Sequence, residues 1–281
     1  MKISTISQHV RRTGRIGIGS LALAAVAAAL LFVNDTAAAG NGSARGNEDK
    51  FVAGESTVVS GGTVSTWARV NGKGKVIWVG MTMPVGMIQN QPPSGSGPAG
   101  AVAVLNFPVV VQDTTYFNHV EIHSQRHGHA TSPQYVQPNR YGAPHFDIHF
   151  YSIPVEEVWT IPGRTPPLPP VAPELLPAGW AQPGGSLAQM GRHAQLLSEF
   201  TATDPWLGTM VAGFLPDASY MHFIEPMITR EFLLRRQNFT LPVPMPETLG
   251  RATRYPTELV VHWDKGANAY HFIFKGFEEK E

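Results

Sequence analysis

The 281-residue sequence predicts an α+β fold: a β-rich single domain, built on an antiparallel sheet or a partly closed barrel, with a few short helices. Three observations carry that expectation. Short runs of β-branched and aromatic residues alternate with polar ones, turn-forming dipeptides separate these runs at close intervals, and helical periodicity never extends beyond about two turns.

Residues 1–39 read as an export signal. Lys2, Arg11, Arg12 and Arg15 precede an apolar run from Ile16 to Val33, and Ala37-Ala38-Ala39 supplies a small-residue cleavage site. Cleavage near Ala39 would place the mature protein in a periplasmic or extracellular space; left uncleaved, the same run could anchor it to a membrane. Residues 40–50 are small and polar, as a flexible tether would be, and 51–281 form the expected β-rich domain.

Within that domain the elements follow in order. Ser56–Ser60 and Thr63–Val70 are alternating strands, and Asn71-Gly72-Lys73-Gly74 turns the chain into a partner at Val76–Thr82. Residues 90–100 are a Gly/Pro loop. Their G-x-G-x-x-G pattern holds a proline and follows no hydrophobic strand, so it is not a dinucleotide site. Tyr116–His123 and His145–Tyr151 are two more strands, and Pro154–Trp159 is a short helix with proline first and acids in its first turn. Eight prolines between 162 and 183 forbid regular structure there and make a surface arm or lid. Gly208–Phe214 and Tyr220–Glu225 form a hairpin around Pro216-Asp217. Ile228–Arg236 is a short amphipathic helix, and Glu258–Asp264 with Ala269–Lys275 closes the chain as a last hairpin.

Composition removes several classes of function. Lys and Arg balance Asp and Glu at 21 each, with no basic cluster beyond the N-terminus and Arg235-Arg236, which argues against nucleic acid as a partner. No cysteine is present, so disulfides, iron–sulfur clusters, thiolate zinc sites and cysteine nucleophiles are all excluded. The absence of G-x-S-x-G and His-Glu-x-x-His removes the serine-hydrolase elbow and the helical zinc motif.

What remains is histidine and carboxylate. Six of the ten histidines after residue 39 lie between 119 and 149. His119-Val-Glu121-Ile-His123 and His145-Phe-Asp147-Ile-His149 share one grammar, with polar groups at i, i+2 and i+4. On a strand each segment presents His, carboxylate and His on one face, with Val120/Ile122 or Phe146/Ile148/Phe150 on the other. Paired strands would bring six ligands to one surface, joined by His127 and His129 from the connecting loop. Imidazole plus carboxylate is the ligand set of a divalent metal, zinc first, with iron, manganese or copper compatible. The alternative is a polar outer face on exposed strands. Tyr116, Phe117, Phe146, Phe150, Tyr151 and Trp159 could line a pocket, or form ordinary core.

The stretches Asn118-His119-Val120, His127-Gly128-His129, Pro144-His-Phe-Asp-Ile-His-Phe-Tyr151, Met190-Gly-Arg-His193 and Ile224-Glu-Pro-Met-Ile-Thr229 resemble those of a family of exported bacterial and archaeal proteins of unknown function. The resemblance spans most of the chain after the signal and implies no reaction. It does imply that His193 and Glu225 join His129, His145 and His149, a set from which a three-His, one-carboxylate sphere would be drawn. The sequence departs from the family in the length of its arm at 162–183 and in its loop at 90–100.

The resulting expectation is an exported protein with a His/carboxylate metal site, acting as a metal-dependent hydrolase or a lyase/isomerase on a small molecule. Its metal ligands would be drawn from His119, His129, His145, His149, His193 and Glu225, with Glu225 a ligand or general base and Asp147 orienting an imidazole. Two alternatives carry no turnover: an extracytoplasmic metal- or ligand-binding module, or a self-assembling protein in which low charge and the arm favour a homo-oligomer.

Overall fold

A computed structural model describes residues 48–281. The expected export signal and residues 40–47 of the expected tether lie outside the described residues. Lys50, assigned to that tether, already pairs with Val70 as the first residue of a strand.

The chain enters as β1 (Lys50–Val59), β2 (Gly62–Val70) and β3 (Val76–Pro84), followed by α1 (Val85–Gln89), β4 (Ala103–Asn106) and α2 (Val109–Thr114). The two histidine segments are β5 (His119–Gln125) and β6 (His145–Tyr151), and α3 (Val155–Thr160) precedes the proline-rich arm. Beyond it come β7 (Ser186–Leu187), β8 (Gly191–Gln195), α4 (Leu197–Thr201), β9 (Gly208–Phe214), β10 (Met221–Thr229) and α5 (Arg230–Leu234). The chain ends in β11 (Phe239–Leu241), β12 (Thr253–Tyr255), β13 (Glu258–Asp264), β14 (Ala269–Lys275) and β15 (Glu278–Lys280). The fold is thus β-rich α+β with short helices, as the alternating runs predict.

Two antiparallel sheets organise these strands, in the orders β1-β2-β3-β14-β13-β11 and β4-β5-β6-β10-β9-β8-β7, beside a small β12-β15 pair. Strands from before and after the arm sit in both large sheets, with β3 bonded to β14 and β6 to β10. The arm therefore connects strands of shared sheets.

Local chemistry explains the turns. Ser60 and Gly61 both take positive φ, 40° and 101°, the primed geometry that a two-residue hairpin turn needs. Asn71 Oδ1 accepts from the backbone N–H of Lys73 and Lys75 at 3.0 Å each, closing the β2–β3 turn. One expectation is corrected here. Ile228 and Thr229 do not begin a helix; they pair with Phe146 and His145 in β10, and the Thr229 hydroxyl then caps α5 by accepting from Phe232 N at 3.2 Å. Burial of Ile228 against its partner strand outweighs its place in a helical pattern.

The core lies between the two large sheets. Phe150 of β6 meets Phe274 of β14 edge-on at 4.8 Å, and Phe117 lies 4.6 Å from the same ring. Tyr116, Phe117, Phe146, Phe150 and Tyr151 are all buried, so these aromatics are ordinary core, while Trp159 is exposed. Among the described residues no helix is long and apolar enough to cross a membrane.

Candidate metal centre

β5 and β6 pair in the register the histidine pattern requires. Glu121 stands opposite His149 and His123 opposite Asp147, while Val120 faces Phe150 and Ile122 faces Ile148. One face of the seven-stranded sheet is therefore apolar and enters the core. The other carries His119, Glu121, His123, Gln125, His145, Asp147 and His149. This second face is not an exposed polar surface: His119, Glu121, His123, His145, Asp147 and His149 are at most 2% exposed. Residues of the 126–144 connection and of the arm cover it.

β10 adds Glu225 beside β6, and β8 contributes His193. Each of two segments that carry candidate ligands depends on a glycine. Gly191 sits at φ +112°, where a Cβ would lie 2.6 Å from the His222 ring and 2.7 Å from Phe214 O; the chain needs that approach to set His193 into the sheet. Gly128, at φ +67°, lies against Gly142, where a Cβ would come within 2.2 Å of its backbone; His129 N then donates to Tyr141 O at 2.8 Å.

The expected ligands form two groups, not one sphere. His149, His193 and Glu225 make the first, and His129, His145 and Asp147 the second. The reason is strand geometry: four residues along β6 separate His145 from His149 by about 13 Å, too far to close tightly on one ion. Asp147 does more than orient one imidazole. It offers Oδ1 to His145 Nε2 at 3.0 Å and Oδ2 to His129 Nε2 at 3.4 Å. His119 belongs to neither group and flanks Glu121 together with His123, each imidazole 3.4 Å from a different carboxylate oxygen. His127 is exposed on its loop.

The first group closes a full triangle. His149 Nε2 lies 3.4 Å from His193 Nε2 and 3.5 Å from Glu225 Oε2, and His193 Nε2 is 3.6 Å from that same oxygen. Such a triangle encloses a point about 2.0 Å from every corner, which is the bond length zinc makes to imidazole nitrogen and carboxylate oxygen. Glu225 Oε2 is buried and has no hydrogen-bond partner. Neither has His145 Nε2 nor Asp147 Oδ1, although they lie 3.0 Å apart. These atoms approach one another without donating to one another, as ligands aimed at a common cation do. His145 Nδ1 lies 2.7 Å from Ala143 O, and that contact turns Nε2 toward the carboxylate of Asp147.

Electrostatics of the ion-free protein agree. Burial, reinforced by the nearby imidazoles of His123 and His193, holds His149 well below its ordinary pKa, and burial brings His193 down to about 4. Both rings are thus neutral at physiological pH and have lone pairs to offer. Burial opposes ionisation of Asp147, but the adjoining imidazoles of His129 and His145 overcome it and hold the carboxyl well below the usual range. Burial and then the Asp147 charge push Glu225 well above it, since two neighbouring carboxylates share one low-dielectric site.

No protein-family model, curated protein or solved structure matches this chain. The site is therefore read from its own chemistry.

Both groups open into one cavity of about 460 Å³. His129 and Asp147 line it from one group and His149, His193 and Glu225 from the other. Tyr135, Tyr141 and Phe200 form an aromatic part of its wall, and Ala181, Gln182, Gly184 and Gly185 line a further part. Sequence reasoning missed Gln125, which donates to Asp147 Oδ2 at 2.9 Å, and Phe223, whose ring packs at 4.9 Å on His149 and 5.0 Å on His193. Gln125 was legible as the next inward position after His123 on β5; Phe223 was not, because it looks like any core aromatic of a strand.

Proposed function

We propose that this is an exported, metal-dependent enzyme, a hydrolase or lyase/isomerase, with its divalent ion held by His149, His193 and Glu225. The supporting observation is the triangle of Nε2, Nε2 and Oε2 atoms with edges of 3.4–3.6 Å on the wall of a cavity large enough for a small molecule. Three protein ligands leave a coordination position open, the feature that separates catalytic zinc from closed structural sites. Zinc suits the donor set best, with iron, manganese and copper next.

When bound, such an ion polarises a substrate oxygen and lowers the pKa of a water toward about 7. The chain's own residues do the rest. His149 and His193 each present a neutral Nε2, Phe223 fixes both rings by packing, and the buried strand face beneath them excludes solvent from all but the cavity side. His129, His145 and Asp147 offer a second ligand group in the same cavity. Export rests on residues 1–39, and membership in the exported family that the His and Glu-Pro-Met stretches resemble belongs to the same proposal.

Elemental analysis of protein purified without chelator tests this reading. At least one equivalent of zinc, iron, manganese or copper per chain is expected, with about one equivalent lost in His193→Ala. A protein that is metal-free and refuses these ions on titration, or one whose content His193→Ala leaves unchanged, would remove the proposal.

A further inference from the structure

The cavity's charge inventory names a substrate class, an inference that rests on the metal reading above. Its lining holds two carboxylates, Asp147 and Glu225, and neither lysine nor arginine. The guanidiniums beside the lining are committed elsewhere: Arg140 Nε donates to Glu199 at 2.9 Å behind Tyr141, and Arg192 Nε donates to Gly184 O at 3.1 Å. An ion-free cavity of this kind has no fixed positive charge with which to receive an anion.

Divalent ions reverse that balance. Two ligand groups, each with a single carboxylate, leave one surplus positive charge apiece when each holds a divalent ion. The two groups are adjacent, because Asp147 and His149 are successive inward residues of β6, and both reach the same cavity. The remaining walls are neutral: the Tyr135 and Phe200 rings stack at 5.2 Å, and Gln125, Gln134, Gln182 and Gln195 surround them with amides. Several of these amides are already engaged. Gln182 exchanges two hydrogen bonds with Val171, and Gln195 accepts from Tyr135 OH. The walls thus form a preset, uncharged surface next to a concentrated positive spot.

We infer that the site takes an organic oxyanion whose phosphate or carboxylate head spans the two ion positions while an uncharged, partly aromatic or aliphatic body lies against Tyr135 and Phe200. The ions supply all the positive charge the head meets. Recognition of the head is therefore strictly metal-dependent, unlike that of an anion site built from arginine.

Isothermal titration of inorganic phosphate and of acetate into ion-free and zinc-loaded protein tests the inference, with zinc stoichiometry measured on the same samples. The expected result is uptake of two ions, followed by binding of one of the two anions about a hundredfold or more tighter than in the ion-free protein, as a reversal of local charge implies. Tighter phosphate binding assigns a phosphoryl head, and tighter acetate binding a carboxylate. In His129→Gln, which keeps the first group intact, one ion and a weakened anion affinity are expected. Two bound ions with no gain in affinity for either anion would overturn the oxyanion inference and leave the metal centre standing. Failure to take up any ion would remove both.

Discussion

At the scale of single residues, the arrangement of the ligands depends on neighbours that bind nothing. Gly213 is the clearest case. A Cβ there would lie 2.0 Å from the Phe223 ring, so this position in β9 must be bare for Phe223 to lie flat across the sheet and support His149 and His193. Gly213→Val should displace Phe223, loosen the His149/His193/Glu225 triangle, and weaken metal binding by about tenfold to a hundredfold, the range typical of groups that orient ligands. A competition titration against a chromophoric chelator measures this. Unaltered affinity in a folded variant would mean that Phe223 has no positioning role. Sequence reading picked out His145, Asp147 and His149 because period-two alternation is visible in a short segment, whereas His193 and Glu225 entered only through the family resemblance. It could not recover Phe223 or Gly213, whose importance arises from a close approach between strands.

At the scale of elements, the arm between α3 and β7 is a strap pinned to the sheet by a guanidinium and by its own buried side chains. Arg192 of β8 donates from Nε to Gly184 O at 3.1 Å, from Nη1 to Pro169 O at 2.6 Å and from Nη2 to Pro183 O at 2.9 Å, and it is 3% exposed. Prolines cannot donate, so a proline-rich segment offers mainly carbonyls, and a guanidinium with its fixed fork of donors matches that surface. Val171, Leu175 and Trp180 anchor the same segment by burial. Arg192→Ala should cost about 3 kcal/mol, since it leaves buried carbonyls unpaired, and should expose the cavity edge at Gln182–Gly185. Faster proteolysis within 162–185 together with a lowered urea midpoint would show it; a variant with wild-type values for both would refute the strap. The sequence places Arg192 next to a suspected ligand but does not reveal its partners, because all three carbonyls come from an irregular segment whose path is set by packing.

At the scale of the whole molecule, burying histidines makes stability depend on pH. His222 lies outside both ligand groups, donates its Nε2–H to Met190 O at 2.8 Å, and is brought by burial to a pKa of about 3. As pH falls through about 6.5 the unfolded chain gains this proton while the folded chain does not until near 3, so the folded state binds fewer protons over that interval. Stability is therefore fully present above about 6.5 and declines toward 3. His193, at about 4, adds the same sign in ion-free protein, and Asp147, held low, withdraws its own contribution at still lower pH. Glu225, held high, works the other way as pH rises through the unfolded carboxyl value, weakening the fold. Urea midpoints of ion-free protein should fall between pH 7 and pH 5, and His222→Gln should reduce that slope. Equal midpoints at the two pH values would contradict this account.

The sequence by itself determined the β-rich class, the hairpins at 63–82 and 258–275, and the two-faced character of the histidine strands, because alternation and turn chemistry are local properties of a few consecutive residues. Only the tertiary structure decided that the polar face is buried instead of solvated, that β6 pairs with β10 across the arm, and that the ligands divide into His149/His193/Glu225 and His129/His145/Asp147. The physical reason is distance. A strand spaces its inward side chains about 6.6 Å apart, so residues that look like one cluster in sequence are spread along a line, and the atoms that close a triangle around one point come from three strands that sequence alone does not set side by side.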